Sequence, residues 1–231
     1  MIDVTRPSKA PESLASGSYG GIDVIHALHA AFLGKCYLCE TKIEPGTLEV
    51  DHLKPKAEGQ FPELKSAWTN LFATCNTHRC NSRRTKTYPE GGLLDPSAGD
   101  GVERRLRQTL DDLISNVLNS DLRCRFEAVG PDDNAAHNTA RELDRIHNGT
   151  GSTERAQATA KALRKAIALH VGLVASLVRE YLSLTAGTSE RREYLDRELR
   201  TIFSRRAPYT MLVRSYFSHR PEIRALFEET R

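Results

Sequence analysis

Two cysteine pairs frame one stretch of the chain: Cys36-Tyr-Leu-Cys39 begins it and Cys75-Asn-Thr-His-Arg-Cys80 ends it. Four thiolates in two local pairs suit tetrahedral zinc, because each pair holds one edge of the ion through a tight turn. The second pair is irregular, since four residues separate its cysteines where two are usual, and His78 stands at CxxH spacing from Cys75. We therefore predict a structural zinc site of Cys36, Cys39, Cys75 and Cys80, with His78 as the alternative fourth ligand.

The composition of the 231-residue chain limits its class. It has 33 basic and 30 acidic residues, and the net charge of +3 is too small to indicate a nucleic-acid partner by itself. No apolar run approaches the roughly 18 residues of a membrane span, and the first residues lack the apolar core of a signal peptide. We expect a cytoplasmic protein without a membrane segment or disulfides. Cys124 lies apart from the other cysteines and is expected to be a buried thiol.

Between the two cysteine pairs lie residues suited to phosphodiester hydrolysis. The segment TLEVDHLKP, residues 47–55, predicts a strand that presents Asp51 and His52. Asp51 and the amide oxygen of Asn81 would offer two oxygen ligands to a catalytic Mg²⁺ or Mn²⁺. A histidine side chain has an ordinary pKa of about 6.5, so His52 is suited to be the base that activates water near neutral pH. Since neighbours on a regular strand point to opposite faces, we expect the strand to end or twist at this dipeptide, before Pro55.

A basic segment overlaps the second cysteine pair. It places four cations within eight residues and no acid among them, namely Arg79, Arg83, Arg84 and Lys86. A solvated face is the plainer explanation of such a run. Because the run adjoins the proposed cation site, we expect these side chains to bind the phosphates of a nucleic acid.

The order of these motifs resembles a known family. CxxC, then Asp51-His52, then Trp-x-Asn70-Leu, then Cys-Asn81 is similar to zinc-stapled HNH (ββα-metal) endonucleases. The resemblance implies two strands and a helix around one catalytic metal, with His52 as the general base and with Asp51 and Asn81 as metal ligands. Asn70 resembles the central asparagine, which pins the histidine-bearing loop through hydrogen bonds. The motif covers about residues 35–90.

The flanking sequence resembles one branch of that family more closely. CYLCE, EVDHLKPKA, CNSRR, LLDP and NTARELDRIHN are similar to PtuB, the HNH subunit of Septu and some retron anti-phage systems. That resemblance implies a partner, a PtuA-like ATPase of the ABC/SMC kind, and cleavage of phage or plasmid DNA that leaves 5′-phosphate ends. Two departures are the four-residue spacer before Cys80 and Arg84, which replaces the usual lysine. The spacer affects the zinc ligands and not the catalytic residues.

Three readings of the function stay open from the sequence. The first is a metal-dependent HNH endonuclease acting on DNA as the effector of a defence complex. The second is an RNA nuclease of a retron-type toxin system, with a target such as tRNA. The third is a non-catalytic zinc-knuckle module that binds nucleic acid or assembles a complex through its helices.

The expected fold is α+β and mostly α, in three parts. Residues 1–34 form an irregular segment and a helix from Asp23 to a cap at Gly34. Residues 35–96 form the HNH nuclease module with its structural zinc, and residues 97–231 form a helical region suited to partner docking. Hydrophobic spacing predicts a helical turn at 66–74 and helices at 81–86, 101–118, 138–147, 153–186 and 189–206. A last helix is expected to begin at Pro208 and to have Pro221 near its end.

Overall fold

The computed structural model describes residues 1–111, 122–184 and 189–228, with the backbone alone at Ser189. In these ranges the chain is an α+β fold with two separate antiparallel hairpins. The strands are β1 (Leu48–His52) paired with β2 (Leu71–Cys75), and β3 (Leu106–Leu110) paired with β4 (Cys124–Ala128). The helices are α1 (Ile22–Ala31), α2 (Cys80–Arg83), α3 (Val102–Arg105), α4 (Asn134–Asn148), α5 (Glu154–Ser183), α6 (Ser189–Phe203), α7 (Thr210–Phe217) and α8 (Pro221–Glu228).

The first hairpin contains the predicted Asp-His dipeptide. β1 pairs with β2 so that Asp51 lies opposite Phe72 and His52 lies opposite Leu71. The predicted helical turn at 66–74 is only partly correct. Trp68–Asn70 forms a single helical turn, and the residues from Leu71 onward form strand β2 instead. Every residue of β2 is buried, so its sequence lacks the alternation that distinguishes a strand from a helix.

Helix α2 covers the free edge of β1. It ends at Arg83 and is therefore shorter than the predicted helix at 81–86. Asn81 Nδ2 donates to the Val50 carbonyl at 3.4 Å, and Arg84 donates to the carbonyls of His52 and Leu53 at 3.0 Å each. These bonds supply the donors that an edge strand lacks, and they join two strands and a helix into one unit.

The second hairpin corrects the predicted helix at 101–118. Only the single turn α3 is helical, β3 follows it, and residues 112–118 of the prediction lie outside the described residues. Leu106 and Gln108 are buried while Arg107 between them is exposed, so this segment has the period of a strand. On β4, Cys124 is buried as expected, and burial raises the pKa of its thiol to about 12.

Five helices follow the second hairpin along the chain. α4 begins before the predicted range because the Asp133 carboxylate caps it, accepting from the Ala136 N–H at 3.0 Å. α6 ends at Phe203, three residues before the prediction. Pro221 was expected near the end of the preceding helix, but it is the first residue of α8. Proline suits this position because the N–H that it lacks would have no partner in the first turn of a helix.

The long helix α5 has one buried face. All but one of its buried residues recur at steps of three and four, on the side of α4 and α6: Ala160, Leu163, Ile167, Val171, Val174, Val178 and Tyr181. By length and composition α5 is the one helix of the described residues that could cross a membrane. Core helices of soluble proteins share this length and composition, so one such helix is weak evidence for a span.

The irregular N-terminal segment packs on the first hairpin. The Arg6 guanidinium lies 4.5–5.1 Å from the ring centroids of Phe32, Trp68 and Phe72, within cation–π range. It also donates to the carbonyls of Trp68 and Leu71 at 3.1 and 2.6 Å. The segment before α1 is therefore part of the structure around β1 and β2.

Candidate functional site

The four predicted cysteines form one buried cluster that can hold a metal ion. The sulfur atoms of Cys36, Cys39, Cys75 and Cys80 all lie within 4.8 Å of one another, with 3.5 Å from Cys75 to Cys39 and to Cys80. Four sulfurs about 2.3 Å from zinc would lie about 3.8 Å apart, so the cluster fits that ion. His78 is buried but does not belong to the group, so the cluster consists of cysteines alone.

Local backbone conformations bring the four sulfurs together. The chain turns after α1, where Gly34 has φ 65° and its N–H bonds the His29 carbonyl, as expected for a helix cap. Cys36 and Cys39 lie in the tight turn that follows. Cys75 ends β2 and Cys80 begins α2, and Arg79 between them has a left-handed φ of 50°. This turn accommodates the four-residue spacer.

The Asp51 carboxylate is buried and already bonded on both oxygens. Oδ1 accepts from the His52 N–H at 2.8 Å, and Oδ2 accepts from the Tyr37 hydroxyl and from Arg84 Nη1 at 2.6 Å each. Tyr37 belongs to the first cysteine turn, and burial raises the pKa of its phenol, which therefore stays protonated and donates. The cysteine cluster and the Asp-His strand are thus linked through a side chain between the first two cysteines.

His52 faces away from Asp51 and is held by the loop after β1. The strand ends at His52, as expected, yet the two side chains take different partners on opposite faces. The His52 Nε2 atom lies 2.8 Å from the Lys65 carbonyl. A carbonyl can only accept, so Nε2 carries the proton and a neutral ring keeps Nδ1 free to take one. Burial lowers the pKa of His52, which keeps the ring neutral at pH 7.

Asn70 closes the loop between β1 and β2. Its Oδ1 accepts from the Lys54 N–H at 2.8 Å, and its Nδ2 donates to the carbonyls of Lys54 and Leu64 at 3.0 and 3.2 Å. The side chain is buried, so these bonds replace solvent for all three backbone groups. Asn70 thereby ties both ends of the loop that carries the Lys65 carbonyl, and this carbonyl orients His52.

The proposed pair of ligands for Mg²⁺ or Mn²⁺ does not fit a divalent cation in this arrangement. Arg84 and Asp51 form a buried ion pair whose side chains are 5% and 7% exposed. A divalent ion on Asp51 would place three positive charges around one buried carboxylate, which is strongly unfavourable at low dielectric. Asn81 turns its amide nitrogen toward Val50.

Two of the four predicted phosphate-binding cations are used inside the protein. Arg83 is buried and donates to the carbonyls of His78, Arg145 and Ile146, and Arg84 is buried on Asp51. This corrects their assignment to a nucleic-acid surface. Arg79 and Lys86 are exposed. Lys86 lies on a cleft of about 1210 Å³ whose walls carry charges of both signs.

The structure also brings three residues close to His52 that the motifs did not predict as site residues, namely Tyr19, Lys56 and Lys65. Tyr19, from the irregular N-terminal segment, places its ring edge-on to His52 with 4.9 Å between the centroids. The Lys56 ammonium lies 3.9 Å from the centre of the Tyr19 ring, and the Lys65 ammonium 5.9 Å from it. The one available signal was the excess of lysine in the loop after His52, at positions 54, 56 and 65.

No protein-family model matches the chain, and no match was found among curated proteins or among solved structures. The function must therefore be argued from the residues and their geometry.

Proposed function

We propose that the chain is an HNH-type endonuclease that hydrolyses nucleic-acid phosphodiester bonds, with DNA as the first substrate to test. One observation carries the proposal: a neutral histidine, oriented by a backbone carbonyl, stands at the end of a strand in a strand–strand–helix unit. The cysteine cluster at the base of that unit, which we propose binds structural zinc, supports it. The order of motifs along the chain supports it as well.

The proposed reaction is attack of water on phosphorus. His52 takes a proton from water on its free Nδ1, and the hydroxide forms the new bond to phosphorus. The bond from phosphorus to the 3′ oxygen breaks, and that oxygen takes a proton from solvent. Products would carry 5′-phosphate ends, as the family resemblance implies.

The sequence predicts a structural zinc and a catalytic Mg²⁺ or Mn²⁺, and the proposed reaction gives a role to the zinc alone. Zinc, bound by Cys36, Cys39, Cys75 and Cys80, would supply no chemistry and would join the N-terminal turn to β2 and α2. A catalytic Mg²⁺ or Mn²⁺ has no place on Asp51 while Arg84 occupies that carboxylate. No step of the reaction is therefore assigned to it.

The proposal includes a partner, on the strength of the PtuB resemblance. A PtuA-like ATPase in a hetero-oligomer would control the nuclease in an anti-phage system. The outer face of α5 supports a docking role, because Leu169 and Leu173, four residues apart, are 60% and 69% exposed. Co-expression with the product of the neighbouring gene tests this. Copurification of an ATPase supports it, and strong cleavage by the solitary chain with no ATPase bound contradicts it.

The test of the catalytic proposal is His52→Ala in the full chain, assayed on plasmid DNA and on tRNA with Mg²⁺, with Mn²⁺ and with EDTA. Cleavage should vanish while zinc content and melting temperature persist. The matched control is His26→Ala, an exposed histidine on α1. If His52→Ala cuts as well as the parent, the assignment of the base is wrong. Preferential cleavage of tRNA would replace DNA by RNA as the substrate.

A second function is favoured by the bonding of Asp51. A carboxylate bonded to Tyr37 and Arg84 is what a purely structural zinc module would contain. In that case the chain binds nucleic acid or assembles a complex without cutting. Retained binding without cleavage under every metal condition would support this function.

A further inference from the structure

A tyrosine and a lysine from separate segments meet beside the His52 ring. Tyr19 comes from the N-terminal segment and Lys56 from the loop after β1. The Lys56 ammonium donates to the Tyr19 hydroxyl and also lies over the tyrosine ring, 3.9 Å from its centre. The same ring meets His52 edge-on at 4.9 Å between centroids. Tyr19 therefore contacts the proposed base and the cation together.

The Lys56 charge is not neutralised by an acid. Among the described residues neither Lys56 nor Lys65 forms an ion pair, whereas the buried Arg84 pairs with Asp51. The charge of Lys56 also acts on its neighbours. Its hydrogen bond lowers the pKa of Tyr19, and after burial its charge further lowers the pKa of His52. A phosphate at this position would meet a positive charge that no acid of the described chain neutralises.

The position also suits the reaction geometrically. Lys56 and Tyr19 are partly exposed, whereas His52 is only 7% exposed. The opposite face of β1 is closed, because Tyr37 and Arg84 cover Asp51. A nucleic-acid strand that reaches His52 from the side of Tyr19 would meet the tyrosine and the lysine first.

We propose that Lys56 binds a non-bridging oxygen of the phosphodiester beside His52, and that Tyr19 is the positioning residue that holds the ammonium there. The ligand class is the phosphate backbone of a nucleic acid. This inference rests on the proposed function. Because Arg84 occupies Asp51, a metal ion bound there cannot neutralise the charge of the phosphate, and we assign that role to Lys56.

The experiment compares Lys56→Gln, Lys56→Arg and Tyr19→Phe in the full chain. The control is Lys161→Gln, an exposed lysine on α5. Loss of a charge-assisted hydrogen bond should lower kcat about 10- to 100-fold in Lys56→Gln, and it should also raise KM because the contact forms when the strand binds. Lys56→Arg should restore activity to within about threefold, since it keeps the charge. Tyr19→Phe keeps the ring and loses the hydroxyl, so kcat should fall by about three- to tenfold.

A binding measurement separates this inference from the proposed function. In the His52→Ala background, the affinity for a DNA duplex is measured between about 50 and 200 mM salt, a range over which phosphate contacts weaken. Lys56→Gln should reduce the slope of log affinity against log salt by about one, and Lys161→Gln should leave it unchanged. Unchanged kcat and slope in Lys56→Gln would overturn the inference even if His52→Ala abolishes cleavage. If the parent never cuts, the proposed function fails and the slope alone decides whether Lys56 binds phosphate.

Discussion

The buried ion pair between Asp51 and Arg84 is expected to contribute strongly to the stability of this protein. Arg84 Nη1 lies 2.6 Å from the carboxylate, and both side chains are less than a tenth exposed. The same guanidinium also donates to the carbonyls of His52 and Leu53. We expect the pair to be a structural clamp between α2 and the edge of β1. The substitution that tests this is Arg84→Met, which keeps the length of the side chain and removes the charge.

Removing one partner of a buried pair costs about 3–5 kcal/mol, because it leaves an uncompensated charge. For a chain of this size that corresponds to a fall in melting temperature of about 6–20 °C. Replacing both partners, in Asp51→Asn with Arg84→Met, should recover much of the loss, since asparagine still accepts from the Tyr37 hydroxyl. We expect a coupling of about 2 kcal/mol or more between the two positions.

The assay is thermal and urea unfolding of the parent, both single variants and the double variant, in EDTA and in Mg²⁺. Arg79→Met is the control, because Arg79 is an exposed cation of the same segment. A change below about 2 °C in Arg84→Met would refute the clamp. Stabilisation of the parent by millimolar Mg²⁺ that disappears in Asp51→Asn would also refute it, since a ligand stabilises only a state that binds it.

Three further predictions follow from other parts of the structure. Cys80→Ser should lose the zinc that we propose the cluster binds and should lower the melting temperature, measured by elemental analysis and unfolding, whereas His78→Gln should keep the metal; full zinc content in Cys80→Ser would exclude Cys80 as a ligand. Asn70→Ala should cost about 1–3 kcal/mol of unfolding free energy, because three backbone groups lose their buried partner. Burial lowers the pKa of His147 to about 3, so below its ordinary pKa of about 6.5 only the unfolded chain takes up this proton. Unfolding free energy should therefore fall by about 1.4 kcal/mol per pH unit from about pH 6.5 down to about pH 3, and His147→Gln should remove this slope. An unchanged slope in that variant, relative to the exposed control His26→Gln, would contradict the assignment.

Much of the architecture followed from local patterns in the sequence. The helices at 134–148, 154–183 and 189–203 came close to their predicted ranges, because side chains spaced at three and four residues record one buried face. The hairpin of β3 and β4 was missed, since a short strand of mixed polar residues resembles a helix segment in composition. β2 was missed because it is buried throughout and shows no alternation.

By itself, the sequence determined the four-cysteine cluster and the strand that carries Asp51 and His52. Both depend on spacing between nearby residues, so the residues alone record them. Only the tertiary structure decided which charges are free. Arg83 and Arg84 look like their neighbours Arg79 and Lys86 in the sequence, yet carbonyls and a carboxylate from other segments bury them. The contact of Tyr19 with His52 likewise depends on how a distant segment packs, which no local pattern records.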